Sequence, residues 1–211
     1  MRLVLASGSP RRRELLAHLG WQFVVMRPDI DETPFPAEPP DQYVARLSRE
    51  KSLAVAADLG DWILAADTTV ALDDAFGTVI LGKPGSDGEA ITMLNQLRNR
   101  EHTVYTGLTL CIVQDGNIMT TVTSTRVTMR DYEDVEMARY VASGEPFDKA
   151  GGYAIQDALF HPVARMDGCY ANVMGLPLCI LNRMLLAQGI SSPATITCRS
   201  DNRPCIAELS V

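Results

Sequence analysis

Leu3-Val4-Leu5-Ala6-Ser7-Gly8-Ser9-Pro10-Arg11-Arg12-Arg13-Glu14-Leu15-Leu16 is the stretch from which the chain is best read. Residues 3–6 are a short apolar run, as a buried strand would be. Ser7-Gly8-Ser9 is a small polar turn. Ser9 suits an N-cap, Pro10 the first helical position, and Leu15, Leu16 and Leu19 the apolar face of a helix. The stretch therefore predicts strand, turn and helix, with Arg11, Arg12 and Arg13 in the first helical turn. A helix N-terminus carries partial positive charge, so each cation there costs ~0.3–1 kcal/mol. The same end binds anions, and arginines strengthen such a site through bidentate hydrogen bonds. A local rule broken at a strand–helix junction points to function, here an oxyanion or phosphate cradle. The plain alternative is a solvated basic helix start, partly offset by Glu14.

Composition narrows the ligand. With 211 residues, 46% hydrophobic and 21% charged, the chain is an ordinary globular protein with a sizeable core. A net charge of −7 and a pI near 4.9 exclude the broad basic face of a non-specific nucleic-acid binder. Local Arg and Lys clusters in an acidic protein fit a small anionic ligand better. The first strand starts within two residues of Met1, leaving no room for a signal peptide, and no run reaches transmembrane length. The expectation is a cytoplasmic protein without membrane association. Cys111, Cys169 and Cys179 sit in apolar surroundings and read as core thiols, while Cys198 and Cys205 in the tail match no zinc spacing.

Along the chain, residues 21–26 alternate as a strand does, and the proline-rich, acidic residues 27–40 must be a loop. That loop is either a solvated connection or, through the adjacent carboxylates of Asp31 and Glu32, a place for a divalent metal. Residues 41–59 have helical periodicity. Lys51 falls on their apolar face, where its ammonium either snorkels to water or points inward at something anionic. Residues 62–66 suit a strand buried on both faces that ends in Asp67-Thr68-Thr69. A carboxylate at the carboxyl end of such a strand lies where open α/β sheets hold ligands, unless it only caps a turn. Residues 70–81 read as a hairpin, and Pro84 keeps Lys83 extended. Residues 87–97 are a helix, 102–113 and 117–129 a long hairpin, 132–142 another helix. Ala150-Gly151-Gly152-Tyr153-Ala154-Ile155-Gln156 leads into a strand, where Gln156 either faces water or reads a base edge. A last helix runs to residue 188, and residues 190–211 form a loose tail.

No Walker loop, dinucleotide fingerprint or metal-spaced histidines occur, which leaves phosphoryl chemistry driven by carboxylates and metal. Arg11, Arg12, Lys51 and Lys83 are spread along the chain, as they would be if folding gathers them around one polyphosphate. The blocks Ser7-Gly8-Ser9-Pro10-Arg11-Arg12, Asp31-Glu32, Arg49-Glu50-Lys51, Ala66-Asp67-Thr68, Gly82-Lys83-Pro84, Tyr105-Thr106-Gly107, Gly152-Tyr153-Ala154-Ile155-Gln156 and Gly175-Leu176-Pro177-Leu178 occur in the order of the Maf family. The chain resembles these septum-formation-related nucleoside triphosphate pyrophosphatases from residue 3 to about 187.

The resemblance implies an α/β fold: a mixed twisted sheet with flanking helices, in two lobes around a cleft, similar to inosine triphosphate pyrophosphatases. Residues 1–189 would form this single domain and 190–211 the tail. It implies hydrolysis of a nucleoside triphosphate to monophosphate and pyrophosphate with Mg²⁺ or Mn²⁺, often by a homodimer. Asp67 matches the family's proton acceptor. Glu32 and Asp67 would ligate the metal, and Ser7, Ser9, Arg11, Arg12, Lys51 and Lys83 would bind the substrate. Arg11, Thr68 and Gln156 match the positions that separate subgroups, and this set resembles the subgroup acting on dTTP and UTP. Ala154 and Asp157 depart from the glycines more usual beside Gln156. The other readings are the same chemistry on 7-methyl-GTP or modified pyrimidine nucleotides, and a non-hydrolytic nucleotide-binding regulator of cell division.

Overall fold

Two parallel pairings set the frame. β1 (Arg2–Ala6) lies between β2 (Phe23–Met26) and β3 (Asp61–Asp74), with Leu3 opposite both Phe23 and Trp62. The computed structural model describes residues 2–75, 77–192 and 198. Its remaining elements are α1 (Pro10–His18), α2 (Pro40–Leu53), β4 (Gly77–Leu81), α3 (Asp87–Leu97), β5 (Glu101–Ile112), β6 (Asn117–Met129), α4 (Asp134–Ala142), β7 (Val163–Asp167), α5 (Tyr170–Val173) and α6 (Leu178–Leu186). The strands form a mixed seven-stranded sheet of order β2-β1-β3-β5-β6-β7, with β4 paired antiparallel to β3. The α/β expectation holds.

The chain divides into two compact units, and β3, β5 and β6 contribute to both. The first comprises, among the described residues, 2–68, 106–124, 168–192 and 198. β1 and the first part of β3 are buried on both faces, which is why residues 3–6 and 62–66 are apolar without alternation. Leu3, Leu5, Leu64, Ala66, Leu108 and Leu110 cluster with Leu16 of α1, with Leu19 that caps it and with Leu181 and Leu185 of α6. Val4, Ala6, Ile63, Ala65 and Cys111 form a separate cluster joined by Val55 and Ala57. The second unit, residues 69–105 and 125–167, packs Tyr140 flat on Phe160 at 4.4 Å between ring centroids, with Tyr132 tilted against the same ring.

Several boundaries differ from expectation. β3 does not end in Asp67-Thr68-Thr69 but runs on to Asp74, because Val70, Ala71 and Leu72 pair with β4. α2 stops at Leu53 rather than residue 59, since Val55 and Ala57 pack on β1 and β3 instead of continuing the helix. α4 begins at Asp134, behind a Glu133–Glu136 capping box that leaves Tyr132 outside. Residues 153–156 form no strand, and Gln156 sits in a turn. Cys198, expected in a loose tail, is buried, and its carbonyl accepts from the Ala171 N–H at 3.1 Å. Ile190 at the start of that tail packs on the same core, its amide donating to the Leu185 carbonyl at 3.0 Å. Residues 193–197 and 199–211 of the expected tail, Cys205 included, lie outside the described residues.

Candidate active site

The first unit gathers charged groups where β1 ends and β3 continues. The pairing of β1 with β3 ends at Ala6 and Ala65, so Asp67 and Thr68 emerge just past the carboxyl end of β1. Asp67 is mid-strand, yet it occupies the carboxyl edge of the parallel part of the sheet, the position where such sheets hold ligands. Successive strand residues point to opposite faces, so Asp67 and Thr68 serve two different groups.

On one face stands α2. Lys51 points inward: its Nζ lies 2.5 Å from Asp67 Oδ1 and 2.8 Å from Glu32 Oε1. Lys51 and Asp67 are both buried, and Glu32 is half-exposed. An ammonium between two carboxylates offsets the desolvation that would otherwise expel an isolated buried charge. The loop bearing Glu32 is fixed to the same helix. Arg46 holds both oxygens of Glu38 at 2.7 Å and donates to the Thr33 carbonyl at 3.2 Å, and its guanidinium lies 4.1 Å over the Phe35 ring. The Tyr43 hydroxyl donates to the Glu32 carbonyl at 2.8 Å. Burial, then the charges of Asp67 and Glu32, push the Tyr43 phenol up to about 12. From the sequence, Tyr43 had only a place on the apolar helix face and Arg46 had no role. Their signal was a phenol and an arginine one turn apart on the helix that follows an acidic, proline-rich loop. Asp31 is occupied differently, accepting from the Thr33 amide at 2.9 Å and hydroxyl at 2.6 Å as a turn cap.

The other face holds Arg12, in the first turn of α1. Ser9 is the N-cap and Pro10 opens the helix, as expected. Arg12 donates through Nε to the Gly175 carbonyl at 2.8 Å, through Nη2 to Thr68 Oγ1 at 3.0 Å and through Nη1 to Ser7 Oγ at 3.3 Å. Ser7 Oγ also accepts from the Ser9 amide at 3.1 Å. Thr106 Oγ1 lies 2.9 Å from Thr68 Oγ1 and donates to the Asn172 carbonyl at 3.0 Å. Gly175 is in the left-handed region (φ +101), and a Cβ there would sit 3.1 Å from Thr68 Oγ1 and 3.4 Å from Arg12 Nε. Burial lowers the Arg12 guanidinium from its ordinary value, and Arg11 adds to this while Asp67 and Glu32 oppose it. A guanidinium has five N–H groups, so three such bonds orient Arg12 and leave donors for an anion. Arg11 is half-buried beside it, whereas Arg13 is exposed.

Folding thus brings together Ser7, Ser9, Arg11, Arg12, Glu32, Lys51, Asp67 and Thr68 within the first unit. Lys83 and Gln156 belong to the second, where both are exposed. Their segments meet there: the Gly151 amide donates to the Gly82 carbonyl at 2.9 Å, and Gly152 packs against Pro84. Asp157, next to Gln156, caps its own turn through the amides of Leu159 at 3.0 Å and Phe160 at 2.7 Å. The site's chemistry is that of hard oxygen ligands, one buried ammonium and an oriented guanidinium. Two carboxylates already converge on one cation, and their oxygens suit a divalent ion of the magnesium class.

The model of the Maf-like protein family matches residues 2–188. A dTTP/UTP pyrophosphatase of Myxococcus xanthus is 50% identical over 192 residues, 90% of this chain and 94% of that protein. A dTTP/UTP pyrophosphatase of Thermomicrobium roseum is 47% identical over 198 residues, 92% of this chain and 88% of that protein. The solved Ham1 protein of Staphylococcus aureus superposes with a TM-score of 0.46 at 17% identity, covering 62% of this chain and 73% of that one.

Proposed function

The chain belongs to the Maf-like protein family, and from that premise we propose that it hydrolyses dTTP and UTP to the monophosphate and pyrophosphate. The observation that carries the reading is Lys51 held between Glu32 and Asp67, with the Arg12 clasp on the opposite face of the same strand. Anion binding alone needs the cations and gains nothing from two acids beside them. Hydrolysis needs both: a base for water and positive charge for the phosphates.

Asp67 is the general base. Lys51 fixes its Oδ1, so the carboxylate is oriented before substrate arrives, and its other oxygen takes the proton of the water that attacks the α-phosphorus. The oxygen bridging the α- and β-phosphates leaves with the pyrophosphate. Arg11 and Arg12 bind the charge that develops there, and Ser7, Ser9 and the amides at the start of α1 add hydrogen bonds. Thr68 holds Arg12 in place. Glu32 and Asp67 would hold Mg²⁺ or Mn²⁺, which when bound supplies Lewis-acid neutralisation of phosphate charge. Lys83 and Gln156 carry phosphate and base recognition in this proposal on their residue match alone. Gln156 offers a donor and an acceptor in the order that the imide edge of thymine or uracil requires and that cytosine reverses. A homodimer, implied by the family resemblance, is checked by light scattering.

The test is pyrophosphate release from a triphosphate panel with Mg²⁺ or Mn²⁺, including CTP and 7-methyl-GTP. Release from dTTP and UTP well above the others is expected. Cleavage of another triphosphate with neither of these touched would overturn the substrate assignment. Asp67→Asn should lower kcat by about 100-fold or more, the range of a lost general base, and near-wild-type turnover would remove Asp67 from that role.

A further inference from the structure

Away from these groups, the first unit contains a second cluster of metal-ligating side chains. Cys169 precedes α5, Cys179 lies in the first turn of α6, and Cys198 comes from beyond that helix. Their sulfurs all lie within 4.8 Å of one another, each residue is buried, and none is in a disulfide. The Cys179 amide donates to Cys198 Sγ at 3.3 Å, and the Ala171 amide holds the Cys198 backbone. Leu64, Leu176, Leu178 and Leu181 belong to the same core cluster. Apolar packing asks only for volume, as at Cys111, and does not require three separate segments to point their sulfurs at one spot. A backbone N–H on a sulfur stabilises the thiolate that a metal needs.

We propose that Cys169, Cys179 and Cys198 bind one zinc ion. Three S–H bonds break, the protons leave to solvent, and three thiolates close on the cation with a fourth position taken by a small solution ligand. Zn–S bonds of about 2.3 Å in a tetrahedron put sulfurs about 3.8 Å apart, so a contraction of about 1 Å suffices. Thiolates select a soft or borderline cation and leave the hard ions to Glu32 and Asp67. The turn that the zinc would brace is also the one whose Gly175 carbonyl holds Arg12 and whose Asn172 carbonyl accepts from Thr106.

The full-length protein, kept reduced, is loaded with Zn²⁺, desalted and analysed by plasma mass spectrometry. About one equivalent per chain is expected, lost in Cys169→Ser, Cys179→Ser and Cys198→Ser and kept in Cys111→Ser. Should a serine variant fail to fold, Co²⁺ substitution of the unmutated protein decides: a sulfur-to-cobalt charge-transfer band and strong tetrahedral visible bands are expected. Absence of those bands overturns the proposal. So does undiminished zinc in Cys198→Ser, or a disulfide between any two of the three that survives the reductant used for loading.

Discussion

Asp67 and Thr68 are adjacent in sequence and serve opposite faces of one strand, and that alternation organises the site residue by residue. Lys51 shows what sequence alone leaves open. On an apolar helix face a lysine stem packs equally well whether its head turns to water or inward, and only a carboxylate from a distant strand decides. Here Asp67 and Glu32 decide it, which also explains why β3 tolerates a charge in its interior. Lys51→Met tests the point. The substitution keeps the stem and leaves Asp67 buried without its ammonium, costing about 3 kcal/mol in urea unfolding at neutral pH. Adding Asp67→Asn, which removes the stranded charge, should recover most of that loss. No recovery in the double variant would mean that packing, not charge, is what Lys51 contributes. Arg12→Lys keeps the charge and cannot make three directed bonds to Ser7, Thr68 and Gly175. It should raise KM about ten-fold or more, with fold stability lowered by about 1 kcal/mol for the carbonyl left unpaired. Unchanged KM would remove Arg12 from substrate binding.

At the scale of elements, α2 is placed against β5 by one glycine. A Cβ at Gly107 would lie 2.1 Å from the Val44 carbonyl oxygen and 2.9 Å from the Ala45 nitrogen, both helix backbone. Ser48 on the same helix meets Thr109 two residues further along the strand, at 2.9 Å. No side-chain rotation relieves a clash with backbone, so Gly107→Ala should cost about 3 kcal/mol, the upper end for overpacked cores. It should lower activity too, because α2 carries Lys51. A contrasting change is Gly88→Ala in the first turn of α3, where a Cβ meets nothing within 4 Å. Helix propensity then acts alone, and stability should rise by about 0.5 kcal/mol. If both variants melt alike, close backbone approach is not what Gly107 provides. The tripeptide around Gly107 was legible as a block, but its reason was not, since nothing in the sequence says that α2 lies across it. The same holds for the end of α2: Ala54, Val55, Ala56 and Ala57 are tolerable helix residues, and tertiary packing of Val55 and Ala57 overrides them.

For the molecule as a whole, the legible part was what short-range chemistry fixes: the opening strand–turn–helix, the apolar strands and the helix caps. What stayed hidden were the long-range choices, such as the run of β3, β5 and β6 into both units and the burial of Cys198, since pattern carries no partner information. Acid stability is such a long-range property. His102 on β5 is buried, its Nε2 lies 2.7 Å from the Tyr153 hydroxyl, and its Nδ1 has no partner among the described residues. Burial lowers its pKa from 6.5 to about 4. Below pH 6.5 the unfolded chain therefore binds a proton that the folded protein refuses until about pH 4, so stability falls as pH falls through that window. At 1.36 kcal/mol per unit the loss approaches about 3 kcal/mol. Asp31, Glu38, Asp61 and Glu136 are held below the usual carboxylate range by hydrogen bonds from Thr33, Arg46, Arg2 and Arg130. Their stabilisation is lost only at lower pH, as they take protons. The histidine step thus comes first on acidification. His102→Gln keeps a hydrogen-bonding group opposite Tyr153 without a titrating ring, and urea unfolding at a series of pH values should show its stability nearly flat where wild type declines. Parallel curves for the two proteins would show that the acid loss originates elsewhere.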